Sequence, residues 1–129
     1  MATKFNVAPA LSVPFQTTDA TPVVAAYFDA TQYPLEALFF EVKVVAVFAD
    51  GSKGSTFWRQ SAFRSAADGT LTQIGSTRTI GTDNIDGSGP AACTVAASGK
   101  QIQVTVTGVA ATTINWVLDN TIRHAPFSK

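Results

Sequence analysis

The residues that most often carry catalysis are scarce in this chain. His124 is the only histidine and lies in the terminal stretch HAPFSK, where we expect a solvated side chain. No triad partners can be named for it. Cys93 is the only cysteine, and on the inward face of a predicted strand it is better explained as a small core residue than as a nucleophile. Glu36 and Glu41 are the only glutamates, and their spacing does not establish the paired acids that a glycosidase requires. We therefore expect no enzymatic activity and no cofactor.

One loop could supply oxygen ligands to a metal ion. Asp83, Asn84 and Asp86 fall within four residues, and carboxylate and amide oxygens are the ligands that calcium prefers. Their spacing lacks the alternation and the terminal glutamate of an EF-hand. Asx turns that shape the loop explain the same residues, so we predict no metal and keep this loop as a weak candidate.

Aromatic and basic residues are interleaved at Phe57-Trp58-Arg59 and Phe63-Arg64, a pattern that can stack bases or sugars. Alternation along a strand places Trp58 opposite Phe57, so we expect the indole to be exposed. Structural packing is the simpler explanation, but Tyr33, Trp58 and Arg59 are candidates for a surface contact.

These residues are positioned by strands. In 37–49 every even position from Leu38 to Phe48 is apolar, whereas Glu41 and Lys43 fall on the odd positions; this is the period-2 pattern of a half-buried strand. The first residues of this segment also fit a helical spacing behind Pro34. Further strands are predicted at 55–66, with a bulge near Arg59, and then at 71–80, 93–97, 101–107 and 114–118.

Glycine-containing turns separate these strands, and no connection is long enough for a crossover helix. The sequence therefore predicts an all-β fold, an antiparallel β-sandwich or a small barrel. Gly108 permits a tight reversal before the last strand, in which Trp116 should plug the core.

The first 22 residues differ from the rest because Pro9, Pro14 and Pro22 exclude them from the centre of a sheet. They form either an edge strand on their own sandwich or an extended arm that pairs with a neighbouring subunit. In the second case the subunit interface would contain Phe5, Val7, Leu11, Val13 and Phe15. We divide the chain into this arm or edge strand (1–22), a sandwich domain (23–124) and a tail (125–129).

Charge is low and balanced. The 129 residues hold nine Lys and Arg against nine Asp and Glu, and 14% of them are charged, compared with roughly 25% in soluble domains. A sparsely charged, neutral surface favours association. Nucleic acid is not an expected partner because there is no basic excess, and Glu41 and Lys43 interrupt the longest apolar run, so no membrane span is expected.

The second half of the chain resembles small β-sandwich proteins of tailed-bacteriophage virions. The resemblance rests on Phe63-Arg64, GTLTQIG at 69–75, IQVTVTG at 102–108 and TINWV at 113–117. It implies a non-enzymatic virion protein, made in the cytoplasm of the bacterial host. Our first expectation is an accessory subunit that decorates the capsid or neck, with copies of itself, preferably as a homotrimer, and the major capsid or other virion proteins as partners. The alternative is a carbohydrate- or receptor-binding module of a tail fibre that uses Trp58, Tyr33 and loop 83–89.

Overall fold

The computed structural model describes residues 5–6, 10–90 and 92–125, and these form ten strands. A 3₁₀ turn at Ala30–Gln32 joins the third strand to the fourth. Among the described residues no helix is long and apolar enough to cross a membrane. The strands are β1 Phe5–Asn6, β2 Ala10–Thr17, β3 Val23–Asp29, β4 Ala37–Phe48, β5 Gly54–Ser65, β6 Leu71–Thr79, β7 Asn84–Ile85, β8 Ala92–Ser98, β9 Gln101–Thr107 and β10 Ile114–Ala125.

Two sheets pack face to face. One contains four strands in the order β1-β3-β9-β8, and the other contains β2-β10-β4-β5-β6, with β7 paired to the first residues of β5. Neighbouring strands are antiparallel, apart from the parallel pair β1 and β3. The predicted antiparallel sandwich is confirmed, and the sheets do not close into a barrel. The strand interpretation of 37–49 is also correct, since β4 extends through it.

The core fills the space between the sheets with the even residues of β4 and their counterparts on the facing strands. Each large apolar side chain that is fully buried contributes roughly 1.5–3 kcal/mol relative to an exposed one. The largest fully buried side chains are Trp116, Phe40, Phe63, Leu38, Ile102, Ile114, Leu118, Val13, Val42, Val44, Val104 and Val106.

Residues 10–17 form an edge strand of the chain's own sandwich. β2 pairs with β10 from Ala10 to Thr17, and Val13 and Phe15 are only 1% and 6% exposed. Their side chains fill this core and are not presented to a neighbouring subunit, which corrects the interface role predicted for them. Leu11 lies in the same strand, Phe5 pairs with β3, and Val7 lies outside the described residues.

The last strand is longer than its pattern predicts. β10 extends from Ile114 to Ala125, and each of these residues is paired with β4. His124 therefore lies in a strand and not in a solvated tail. Its ring contacts the ring of Tyr33 edge to face, and its Nδ1 atom lies 2.6 Å from Oε1 of Glu36.

Gly108 is required because the neighbouring residues leave no room for a Cβ atom at this position. A Cβ atom at this position would lie 2.6 Å from the carbonyl oxygen of Asp19 and 2.6 Å from Oγ1 of Thr17. That hydroxyl accepts a 2.9 Å hydrogen bond from Nε1 of Trp116, which is 1% exposed. The glycine thus lets β2 approach closely enough to satisfy the one polar atom of the largest core side chain.

Gly108→Ala should destabilise the fold by roughly 1–3 kcal/mol, because the added methyl group overlaps backbone and displaces the Thr17 hydroxyl from Trp116. Chemical unfolding followed by circular dichroism measures the change. Gly81→Ala is the control, since a Cβ atom there meets nothing within 4 Å and only its positive φ opposes the substitution. An equal loss in both variants would contradict the close-approach explanation.

Candidate interaction surface

The outer face of the six-stranded sheet concentrates the exposed apolar side chains of the molecule. We define the outer face as the side chains of β2, β10, β4, β5 and β6 that point away from the core. Eight large hydrophobic residues are exposed in the described part of the chain, and six of them lie on this face. The six are Phe39, Val45, Val47, Trp58, Ile74 and Val117.

An apolar band crosses one end of the outer face. The strand register aligns Pro14 with Val117 and Val117 with Val45, which is 57% exposed. Val47 lies beside this row, and a shallow groove of about 680 Å³ separates it from the segment that contains Ile85. Isolated exposed hydrophobics are ordinary, but a contiguous row on one sheet is typical of a contact surface.

A polar band occupies the centre of the outer face. Nε1 of Trp58 donates a 2.6 Å hydrogen bond to Oε2 of Glu41, and Nε2 of Gln60 donates one of 2.7 Å to the same oxygen. The Gln60 bond, followed by the Trp58 bond, lowers the pKa of Glu41 below its ordinary value. Nζ of Lys43 lies 4.7 Å from the centre of the Trp58 ring, a cation–π contact.

A second apolar band lies on the other side of the polar one. Phe39 is paired with Ala62 on β5 and with Arg123 on β10, and Ala62 is paired with Ile74. These residues surround a hollow of about 330 Å³. The outer face thus has two apolar bands with a charged band between them.

The outward side of the four-stranded sheet has a different character. Its strands β8 and β9 present uncharged side chains, mostly hydroxyls and amides. No large hydrophobic residue on the described part of these two strands is exposed. The molecule is therefore two-sided, with one polar uncharged face and one banded apolar face. The outward residues of β8 and β9 are Ala92, Thr94, Ala96, Ser98, Gln101, Gln103, Thr105 and Thr107.

Trp58 and Arg59 lie on opposite sides of the six-stranded sheet. Trp58 is 36% exposed, as alternation predicts, whereas Arg59 is only 8% exposed and points inward. β5 pairs with β4 without interruption, and the register shift between β5 and β6 comes from extra residues of β6 between Ile74 and Arg78. The bulge predicted near Arg59 is therefore absent from β5, and regular alternation turns Arg59 inward. Arg59 is a core residue and not the surface contact that its sequence neighbours favoured.

Arg59 is buried because its polar atoms are satisfied. Nη1 and Nη2 donate to the two carboxylate oxygens of Asp83 at 2.6 and 2.8 Å, and Nε donates to the carbonyl oxygen of Cys93 at 3.1 Å. The guanidinium also lies 5.5 Å from the centre of the Phe57 ring. It connects β5, the 81–90 loop and the edge of the opposite sheet.

The loop proposed as a weak metal site is built around these contacts. The Arg59 hydrogen bond lowers the pKa of Asp83, and Oδ2 of Asp86 accepts a 3.0 Å bond from the amide of Gly54. Nδ2 of Asn84 donates to Oγ1 of Thr56 at 3.2 Å. Among the described residues no group of three or more His, Cys, Asp or Glu is placed to hold a metal ion. In the structure these side chains fasten the loop to β5.

Tyr33 lies at the other end of the sheet. Its ring packs on Phe28, and its carbonyl oxygen accepts a hydrogen bond from Oγ of Ser65. Asn84 and Ile85 instead pair with Thr56 and Ser55 at the start of the same strand. Ten residues of extended strand span roughly 33 Å, so Tyr33 and loop 83–89 cannot contact one small ligand.

Cys93 is 2% exposed, and burial raises the pKa of its thiol to about 12. The thiol is therefore protonated at neutral pH and inert as a nucleophile. Its position in the core agrees with the sequence prediction.

Arg59→Met should destabilise the protein by roughly 1–3 kcal/mol at neutral pH, because Asp83 and the carbonyl oxygen of Cys93 both lose a partner. The folded pKa of Asp83 is depressed, so its contribution is present above the unfolded pKa of about 3.9 and is lost as the pH falls through the lower folded value. The difference in free energy of unfolding between wild type and variant should therefore be smaller in acid. Urea unfolding at about pH 7 and about pH 2 measures this.

Arg64→Met is the matched control because Arg64 is exposed on the same strand. It should leave stability within about 0.5 kcal/mol of wild type at both pH values. If Arg59→Met behaved in the same way, the inward ion pair would not be a structural support.

Fold and surface together define a two-sheet β-sandwich with an apolar outer face. No known protein family and no curated protein matches the chain. Among solved structures, the tailspike protein of Acinetobacter baumannii phage AM24 is similar over 87% of this chain at 8% identity and a TM-score of 0.49. The tailspike protein of Acinetobacter phage vB_ApiP_P1 is similar over 91% at 16% identity and a TM-score of 0.35. This chain spans 26% and 21% of those proteins. Likenesses this low do not bear on its activity.

Proposed function

We propose that this chain is a structural module of a tailed-bacteriophage virion that acts by packing against other virion proteins through its outer face. The observation that carries the proposal is the concentration of six exposed hydrophobic residues on one face of one sheet. Such a face is disfavoured in water and stabilised when covered. The sequence resemblance to phage β-sandwich proteins supplies the biological setting.

A place in the tail is preferred to one on the capsid exterior. A sandwich of this size also serves as one unit of a longer fibre, so the length of the chain does not favour the capsid exterior. The two similar solved structures are tailspike proteins, which agrees with a tail position. The homotrimer that the resemblance implies is an alternative to the two-fold pairing proposed below, and the sedimentation experiment described there distinguishes them.

Purified protein should bind virions that were assembled without it, and antibody label in electron microscopy should decorate their tails. Val45→Lys should bind poorly because it places a charge in the apolar band of the outer face. Thr94→Lys, with the same charge on the exposed side of the other sheet, should bind like wild type. Label on the capsid would overturn the tail position. Equal binding by both variants would overturn the use of the outer face.

The second candidate function is carbohydrate binding at Trp58, which is favoured by the exposure of its indole. Against it, Lys43 lies over the ring and Glu41 already accepts the indole hydrogen bond. A sugar could stack on the ring only after Lys43 moved away.

Glycan-array binding should therefore be absent, and Trp58→Ala should not change the array result. Specific binding by the wild type that disappears in Trp58→Ala would establish the receptor-binding function instead. Thr94→Lys again controls for non-specific effects of a surface substitution.

A further inference from the structure

The outer face is complementary to a second copy of itself. Glu41 and Lys43 occupy neighbouring outward positions of β4, the middle strand of the five that form the face. Phe39 precedes this pair by one outward position and Val45 follows it by one. The order along the strand is therefore apolar, acidic, basic, apolar.

A two-fold rotation aligns this order of side chains with the complementary order on a second copy. The axis lies in the plane of the face, crosses the strands at right angles and passes between the positions of Glu41 and Lys43. It places Lys43 of each copy opposite Glu41 of the other, and Val45 opposite Phe39. Along β4, opposite charges thus meet at the centre and apolar side chains meet on both sides of them, whereas on β10 the same rotation places Arg123 of each copy opposite Val117 of the other.

The size of the face fits such a pairing. Five strands at about 4.8 Å span about 24 Å, and the 12 residues of β4 extend over about 36 Å. The product, roughly 900 Å² in plan, compares with about 800 Å² per partner in a stable standard interface. The rotation also reverses the strand direction, which is compatible with aligned packing of two sheets.

Part of the polar band is already satisfied within the chain, whereas Asp119, which lies beside Lys43 on β10, is an exposed carboxylate that the partner has to accommodate. Glu41 is half-buried and accepts hydrogen bonds from Trp58 and Gln60, and Oε1 of Gln60 accepts one of 3.1 Å from Nη2 of Arg78. A band whose members are already paired within the chain loses fewer hydrogen bonds to water when a partner covers it.

We propose that two copies of this chain pair face to face through their outer faces, with Lys43 of each copy opposite Glu41 of the other. The inference rests on the proposed use of the outer face for packing, and it names the partner as a second copy. The pair and the virion contact use the same face, so a free pair must separate before it attaches. Pairing is measured on purified protein alone and attachment on virions, so the failure of one is distinguished from the failure of the other.

Sedimentation equilibrium tests this pairing. Wild type should form dimers as its concentration rises. Lys43→Glu and Glu41→Lys alone should each weaken dimerisation roughly tenfold or more, because like charges then face each other. An equimolar mixture of the two variants should restore dimers, since one chain is acidic at both positions and the other is basic at both. Lys100→Glu, an exposed reversal at the turn between β8 and β9, should dimerise like wild type.

Glu41→Lys removes the acceptor of two hydrogen bonds, so circular dichroism and thermal unfolding must show that it folds. If it does not, Val45→Asp and Phe39→Lys provide a second pair at exposed positions. Each alone should weaken dimerisation, and their mixture should restore it.

Monomers at all concentrations, trimers, or variant mixtures that stay monomeric would overturn the two-fold pairing. If the protein gave one of these results but still labelled virion tails, the proposed function would stand without the pairing. Conversely, dimers with the expected charge dependence that failed to bind virions would retain the pairing and remove the proposed function.

Discussion

The strict alternation of β4 is the constraint on which the rest of the structure depends. This strand lies in the middle of the larger sheet and pairs along nearly its whole length with β10 on one side and β5 on the other. A slip of one residue would expose Phe40 and bury Lys43, so the core fixes the register. That same register sends Phe39, Val45 and Val47 outward together. The packing of the core thus determines which positions lie on the outer face. It does not require the residues at those positions to be apolar.

The residue types on the outer face are not dictated by the packing of the core. Outward positions on the other sheet are filled by threonine and glutamine, which shows that this fold tolerates polar residues there. Valine and phenylalanine on the outer face gain only modest cross-strand packing in the isolated domain, and they increase its tendency to associate. Their presence is explained when the face is covered. The central charges then orient the partner, since apolar bands alone would allow many alignments.

The sequence predicts much of the fold because strand signals are local. The period of 2 in 37–49 and 101–107, the buried Trp116 and the exposed Trp58 all follow from alternation and turn residues. Alternation alone could not show that Arg59 is satisfied inside the core, because Asp83 lies 24 residues away. Alternation also could not extend β10 to His124, because Glu36, the partner of that side chain, lies 88 residues away in the sequence. The outer face was partly visible as apolar residues at odd positions of 37–49, but only the cross-strand register brings Val117 and Ile74 beside them.

The outer face should be covered when the protein assembles, and Trp58 reports directly on whether it is. Of the two tryptophans, Trp116 is 1% exposed and inaccessible to a quencher, whereas Trp58 is 36% exposed at the centre of the face. Acrylamide quenching of tryptophan fluorescence should fall, and the emission should shift to shorter wavelength, as the protein is concentrated from monomer to assembly. Quenching that stays constant while the measured mass increases would contradict the claim, because another surface would then form the contact.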